Sequence, residues 1–432
     1  MSEVTADERG LDLYGESTVV VEGAVEARGC RVRVRRSGGA LCTVVDAGRT
    51  AERTSTGPLT RDLLMGLLPS GPGLTEVRAA AAAQDLEPPV VPEVVEAWVA
   101  GTAAVLGAVG RGADGRRDGE LRVTTLVGVR RALAWSSQGR VFRTVATPFC
   151  RVRVTVHGGG VSGVESWSGD VLPDVATAES LGAAAVARRS DLAHAVPVPT
   201  TRADVVLSGR AAGYLVHEAI GHALEGTRAS AGHAVRRAGG RRLDPMLTVV
   251  EDARSPQAWV PARYDDEGTS TGPVVLVAEG AVVDTLTVSR ERSLSGAHRG
   301  GNARRSGLSG ARPRMRHTIL APGADDADQV MASVRTGIYV DEVDYASADP
   351  RDGDFSLRVE RARLIDRGVL GPPLRTHFLR GSVAALEHVE ALGSDVSVDR
   401  GMCGRGGQWV PVSYSAPTLR LGALSVVGEA DA

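Results

Sequence analysis

Lysine is absent from the 432 residues; all 50 basic side chains are arginine. That excludes a Schiff-base lysine, a P-loop lysine and a Ser-Lys dyad. Aromatic residues make up 3% of the chain, and cysteine occurs only as Cys30, Cys42, Cys150 and Cys403. Such scattered cysteines make no disulfide scaffold and point to a reducing compartment, read here as the cytoplasm. Neither sign of charge is in excess: the formal net charge of −2 gives no overall pull toward nucleic acid or an anionic membrane. No apolar run approaches the roughly 18 residues that a membrane span requires. The acidic, polar start Met1-Ser2-Glu3-Val4-Thr5-Ala6-Asp7-Glu8 is not that of a signal peptide.

What is present is ordinary for a globular chain, with 43% hydrophobic and 24% charged residues, and the length suffices for two or three domains. β-Branched runs predict strands at Ser17 to Glu22, Arg31 to Arg35 and Leu41 to Val45, with Arg31, Arg33 and Arg35 alternating with valine as in a half-exposed strand. Helices are expected at Thr60 to Leu68 and Leu74 to Leu86, and Pro88-Pro89 marks a boundary. A helix from Pro92 to about Val109 is followed by strands at Leu121 to Val129, Arg131 to Ser136 and Phe149 to His157, then by a helical stretch within Val171 to Val196. Pro197 and Pro199 close this second unit. Beyond it strands dominate: Ala203 to Leu207, Leu247 to Val250, Val274 to Ala278, Ala281 to Val288, Phe355 to Ile365 and Thr418 to Val427. Helix returns near Ala327 to Thr336 and Ser382 to Ala391. The expected fold is α+β, a mixed α/β N-terminal region followed by a mostly antiparallel β C-terminal domain. The domains read as residues 1–89, 90–199 and 200–432.

Gly158-Gly159-Gly160-Val161-Ser162-Gly163 formally fits a dinucleotide-binding fingerprint. That fingerprint needs a helix to open at the glycines, and Val164 to Asp170 has no helical periodicity, so the stretch reads as a glycine-rich loop.

Chemistry concentrates at Tyr214-Leu215-Val216-His217-Glu218-Ala219-Ile220-Gly221-His222-Ala223-Leu224-Glu225-Gly226. Two imidazoles flank a carboxylate within an apolar, helix-like run that Ser208 could cap at its start and Gly226 could stop. Imidazole is the commonest zinc ligand, and an adjacent Glu can accept a proton from a water. The spacing is His-Glu-x-x-x-His, one residue longer than the zincin pattern. On a regular helix, residues five apart differ by roughly 140°, too far for two ligands on one metal. A π-bulge would bring them together, and Gly221 is where such a distortion meets least steric resistance. The plainer alternative is two histidines that lie near a glutamate by accident.

A further ligand candidate is Cys403, in Gly401-Met402-Cys403-Gly404-Arg405-Gly406-Gly407-Gln408. A cysteine among glycines, outside any apolar strand, is poorly explained as a small core residue. With two imidazoles, a thiolate would leave the fourth tetrahedral position open, as in catalytic zinc sites. A free thiol in a loop is the alternative.

At this point the chain resembles the TldD/PmbA family of bacterial and archaeal metallopeptidases, in its TldD-like, metal-competent branch. The matching pieces are His217-Glu218-Ala219-Ile220-Gly221-His222 with Leu224-Glu225-Gly226, and Asp265-Asp266-Glu267-Gly268. Pro313-Arg314-Met315 with Pro322-Gly323, Gly337-Ile338-Tyr339, Cys403-Gly404 with Gly407-Gln408, and Pro417-Thr418-Leu419 follow in order. The resemblance implies a zinc ion held by His217, His222 and Cys403, with Glu218 as general base. It also implies a dimer, homodimeric or with a PmbA-like inactive subunit, that cleaves short or unfolded peptides, precursors of peptide natural products among them. Thr227 stands where the family usually has an acid, and the N-terminal third matches weakly.

Two other readings remain at this stage. One is a metal-binding but non-proteolytic tailoring or scaffold subunit in a biosynthetic cluster, with Trp409 and Tyr414 shaping a pocket. The other is a DNA- or gyrase-modulating role through the basic stretch holding Arg290, Arg292, Arg299, Arg304, Arg305, Arg312, Arg314 and Arg316. That stretch has no interleaved aromatics and no known binding module, and it reads as a solvated loop. Neither specific nucleic acid nor membrane is expected as a partner. Asp265 and Asp266 read as exposed turn acids.

Overall fold

The computed structural model describes residues 10–26, 29–46, 49–56, 92–114, 120–136, 142–198, 201–226, 242–288, 301–307, 309–349 and 353–428. The helices expected at Thr60 to Leu68 and Leu74 to Leu86, most of Arg228 to Arg242, and Arg290, Arg292 and Arg299 lie outside the described residues.

The N-terminal elements are β1 (Gly10–Glu26), β2 (Gly29–Asp46), β3 (Arg49–Thr56), α1 (Pro92–Asp114), β4 (Glu120–Ser136), β5 (Phe142–Gly158), β6 (Val161–Gly169) and α2 (Val175–Ala193). The strands form one six-stranded antiparallel sheet in the order β3-β2-β1-β4-β5-β6. Because β1 pairs with β4 from Asp12↔Ser136 to Val25↔Val123, the sheet runs across the boundary expected at residue 89. β2 is a single strand where the glycines had suggested two, since Gly38 and Gly39 stay in register with Ser17 and Glu16. Gly159 and Gly160, at φ +62° and +77°, turn the β5–β6 hairpin, so the glycine-rich stretch opens no helix.

Strand alternation sorts the two faces of this sheet. On β5, Cys150, Val152, Val154 and Val156 are completely buried, packed with α1 and α2 residues such as Val109 and Ala185. Arg151 and Arg153 point the other way. Asp174 caps α2 by accepting the Thr177 N–H at 2.7 Å. Val94–Ala113 of α1 is, contrary to the sequence expectation, long and apolar enough to cross a membrane by length and composition alone. In the fold its Val95, Leu106 and Val109 are buried over the sheet.

The C-terminal elements begin with β7 (Thr201–Leu207), α3 (Gly209–Val216), a π-helical turn (His217–Gly221) and a 3₁₀ turn (His222–Leu224). Next come β8 (Val249–Asp252), β9 (Pro273–Ala278), β10 (Ala281–Val282), β11 (Ala303–Arg304), β12 (Arg312–Pro313), β13 (His317–Leu320) and α4 (Ala327–Ala332). The chain ends in β14 (Thr336–Ala348), β15 (Asp354–Asp366), β16 (Val369–Pro373), β17 (His377–Ser382), β18 (Val389–Leu392), β19 (Ser397–Arg405), β20 (Gln408–Ala416) and β21 (Leu419–Gly428). The strand expected over Ala281 to Val288 shrinks to Ala281–Val282. The helix expected over Ser382 to Ala391 is a 3₁₀ turn, Val383–Glu387, running into β18.

One sheet runs β10-β9-β8-β13-β20-β19. In the other, β14, β7, β21, β17 and β15 pair in sequence and β15 pairs back to β14, closing a circuit. Among the described ladders, β13–β20 and β14–β7 are parallel and the rest antiparallel. The fold is therefore α+β, with a mostly antiparallel β C-terminal part. Its core contains Leu207, Leu215, Ile220, Leu224 and Leu276, all fully buried, so α3 is hydrophobic on nearly every side. Ion pairs tie the polar face of the N-terminal sheet to the C-terminal part. Arg130 meets Asp266 at 3.0 Å and Arg153 meets Asp344 at 3.1 Å. From α2, Arg188 reaches Glu342 at 2.8 Å.

Candidate metal centre

The Ser208 hydroxyl accepts the Ala211 N–H at 3.2 Å and donates to the Asp341 carbonyl at 2.7 Å, so α3 starts at the cap its sequence suggests. The helix then widens as the spacing of the histidines requires: the His222 N–H bonds to the carbonyl of His217, five residues back. Gly221 is not where the backbone yields, for its φ of −56° and ψ of −55° are ordinary helical values. Its role is clearance, because a Cβ there would lie 1.9 Å from Sδ of Met315.

His217, His222 and Cys403 converge, with their candidate ligand atoms all within 4.8 Å of one another. Sγ of Cys403 is 3.1 Å from Nε2 of His222, and the two imidazoles meet edge to face at 5.0 Å between centroids. Nε2 of His217 is buried with no hydrogen-bond partner, a donor atom that only a further group between these side chains would satisfy. Glu218 places Oε2 3.8 Å from His222 Nε2. Cys403 is not in a loop, as its glycine neighbours had suggested, but on β19, paired to Val410 of β20. The glycines serve the hairpin. Gly406 and Gly407 turn it at φ +57° and +80°, and a Cβ on Gly404 would strike the Trp409 ring at 2.3 Å.

Of the residues that hold this group in place, the sequence left the role of Glu225 open and gave the others none. Arg314, almost fully buried, places Nη2 3.0 Å from both the thiol sulfur and the carbonyl oxygen of Cys403, and its Nε 3.3 Å from Glu225. Glu225 in turn stands 3.1 Å from Nδ1 of His222 and 2.8 Å from Arg405, whose guanidinium also donates to the His222 carbonyl. Behind His217, Nδ1 is 3.4 Å from the Thr318 hydroxyl, which lies 3.3 Å from Glu251. Glu251 is fully buried and accepts the N–H groups of Arg316 and His317. Burial raises the Glu251 carboxyl to about 7; in its ionised form it takes the Thr318 proton, the hydroxyl oxygen accepts from Nδ1–H, and the lone pair on Nε2 faces Cys403 and His222.

Electrostatics treat the two histidines oppositely. Burial, reinforced by His222 and Arg314, holds the His217 pKa well below its usual value, so the ring is a neutral donor. Burial also opposes charge on His222, but Glu225 and Cys403 outweigh it and raise its pKa to about 10. A proton is therefore favoured on His222, beside Cys403. Burial raises the Glu218 carboxyl above its ordinary value, against the pull of His222.

Where the structure describes the basic stretch, Arg312 is exposed but the other arginines are not on a solvated loop. Arg304, Arg305, Arg314 and Arg316 are buried, and Arg304 donates to the carbonyls of Met315 and Pro411. Asp265 and Asp266 are likewise buried, not exposed. Asp265 does shape a turn, accepting the N–H groups of Glu267 and Thr269, while Asp266 faces Arg130 and Arg316. Tyr414 is buried, 5.7 Å from the His217 ring, and Trp409 is 62% exposed, and both line the cavity in front of the centre.

The family model for the PmbA/TldA metallopeptidase C-terminal domain matches residues 200–428, more than half of the chain, and so covers the whole centre. The chain belongs to the TldD/PmbA family of metallopeptidases. It is 30% identical over 240 residues to a metalloprotease TldD homologue of Haemophilus influenzae, a match covering 54% of this chain and 50% of that one. It is 25% identical over 228 residues to a zinc metalloprotease TldD homologue of Saccharolobus solfataricus, covering 52% and 51%. The matched stretch thus spans about half the length of these relatives. In fold the likeness extends further, since TldE from Thermococcus kodakarensis superposes with a TM-score of 0.68 at 16% identity over 97% of both chains.

Proposed function

We propose that this TldD/PmbA chain is a zinc-dependent peptidase acting on short or unfolded peptides, with His217, His222 and Cys403 as ligands and Glu218 as general base. The observation that carries this reading is the convergence of the three donor atoms within 4.8 Å, with His222, Cys403 and Glu218 on the wall of a cavity of about 640 Å³ and His217 buried behind them. Two imidazoles and a thiolate suit zinc and leave one position open, as catalytic sites do. A zinc ion held there would polarise a peptide carbonyl and make a water acidic enough to react at neutral pH.

The protein's own residues supply the rest. Glu218 faces the cavity with a raised pKa, suited to taking a proton from the attacking water and returning it to the leaving amine. Arg314, Glu225 and the Thr318–Glu251 pair fix the three donors in place. β19 is the edge strand of its sheet and lines the cavity, so an extended peptide can dock along it through backbone hydrogen bonds, which makes cleavage tolerant of sequence. Assembly as a dimer, with an identical chain or a PmbA-like inactive subunit, belongs to the same proposal and is tested by light scattering with and without the second chain.

The test pairs metal content with peptide hydrolysis. Glu218→Gln should keep its zinc and lose at least about 100-fold in turnover, and Cys403→Ala should lose the zinc. Full zinc occupancy in Cys403→Ala, or wild-type turnover in Glu218→Gln, would overturn the assignment.

A further inference from the structure

The cavity in front of the centre is walled by cations, and nearly all are already engaged. Arg153 pairs with Asp344 at 3.1 Å, and Arg210 lies 3.2 Å from Glu342 and 3.4 Å from Asp399. Arg400 donates to the Ser168 carbonyl at 2.7 Å, and Arg405 is held by Glu225. Arg151 differs. It lines the same cavity, yet among the described residues it makes no hydrogen bond and no ion pair.

Its position follows from strand geometry. Cys150 and Val152 on either side are buried beneath the helices, so alternation turns Arg151 to the opposite, polar face of the sheet. There Tyr214 and Tyr414 lie within electrostatic range of both Arg151 and Glu218, which places the guanidinium in the same chamber as the proposed base. Burial and the like charge of Arg153 disfavour its cationic form, a cost that Asp399 offsets only in part and that an incoming anion would relieve further.

The acids on the wall indicate which end of a peptide is read. Glu342, Asp344 and Asp399 are each paired to arginine, and Glu360 stands 4.0 Å from Arg188. No comparable unpaired acid other than Glu218 remains on the described wall for a substrate ammonium, whereas a planar fork of donors stands open for a carboxylate. We propose that Arg151 anchors the C-terminal carboxylate of the substrate, making this site selective for short peptides with a free carboxyl terminus close to the cleaved bond. The inference rests on the peptidase reading for the word substrate, and on the cavity alone for the anchor.

The test uses the zinc-loaded full chain carrying Glu218→Gln, and fluorescein-labelled tetrapeptides identical except for a free or amidated C-terminus. Fluorescence anisotropy should show the free acid binding about 10- to 100-fold more tightly than the amide. Adding Arg151→Gln should bring the acid down to the affinity of the amide, while Arg151→Lys should restore part of the preference. Zinc content equal to the parent's confirms that each variant keeps its fold. Equal binding of acid and amide by the parent, no binding of either, or a preference that survives Arg151→Gln would each overturn the anchor. Hydrolysis of the same peptides by the wild type is read separately. No cleavage alongside an Arg151-dependent binding preference removes the peptidase reading and leaves the anchor standing.

Discussion

The hydroxyl of Thr318 lies 3.4 Å from Nδ1 of His217, and the same oxygen is 3.3 Å from Glu251. A proposed ligand is thus oriented through an alcohol, with a buried carboxylate one step behind. Thr318→Val keeps the shape and removes the bridge, freeing His217 to take the tautomer with its hydrogen on Nε2. Zinc affinity, measured by competition with a chromophoric chelator, should fall about 10- to 100-fold, with the far-ultraviolet dichroism unchanged.

Arg314 is the buried strut between the halves of the centre, touching the thiol and carbonyl of Cys403, the side chain of Gln408, and Glu225. Arg314→Ala strips one counter-charge from the buried Glu225 and removes one donor from the Cys403 carbonyl. Urea unfolding should show a loss of about 3 kcal/mol, and zinc should bind more weakly.

Gly221 and Met315 test clearance against backbone freedom. Gly221→Ala should cost about 1–3 kcal/mol by overpacking, since its methyl would sit 1.9 Å from Sδ of Met315. In a Met315→Ala background the same change should cost under about 0.5 kcal/mol, because Gly221 already has helical dihedrals. An unchanged cost in that double-mutant cycle would locate the strain in the π-turn backbone instead.

Glu360 gives a pH dependence. Burial, partly offset by Arg188, raises its carboxyl to about 7. An unfolded glutamate releases its proton near pH ~4.3, so between about 4.3 and 7 the folded chain binds more protons and stability falls as pH rises. Glu360→Gln should therefore be more stable than wild type by about 3–4 kcal/mol at pH 8. The gap should close by pH ~4, as followed by chemical unfolding at both pH values.

The π-turn was legible in the sequence because two ligands five residues apart cannot face one metal from a regular helix. The clearance at Gly221 was not, since it depends on Met315, which only tertiary packing brings near. Cys403 looked like a loop residue because glycine weakens every strand signal. What makes β19 a strand is its pairing with β20, where Val410, Val412 and Tyr414 are buried. The Asp265–Asp266 turn was read correctly as a turn and wrongly as exposed, for Arg130 and Arg316 arrive from distant strands to match the charge. The same distance hid Arg314. A run of arginines resembles a solvated face until the acids and carbonyls it serves are folded around it.

The donors of the centre are far apart in the chain: Cys403 comes 181 residues after His222. During synthesis both histidines emerge long before the thiol, and β20, which holds the cysteine's strand in register, emerges later still. A growing polypeptide therefore carries both histidines until the cysteine is added, 181 residues after His222. The proposed zinc site can form only after β19 and β20 have been made and paired.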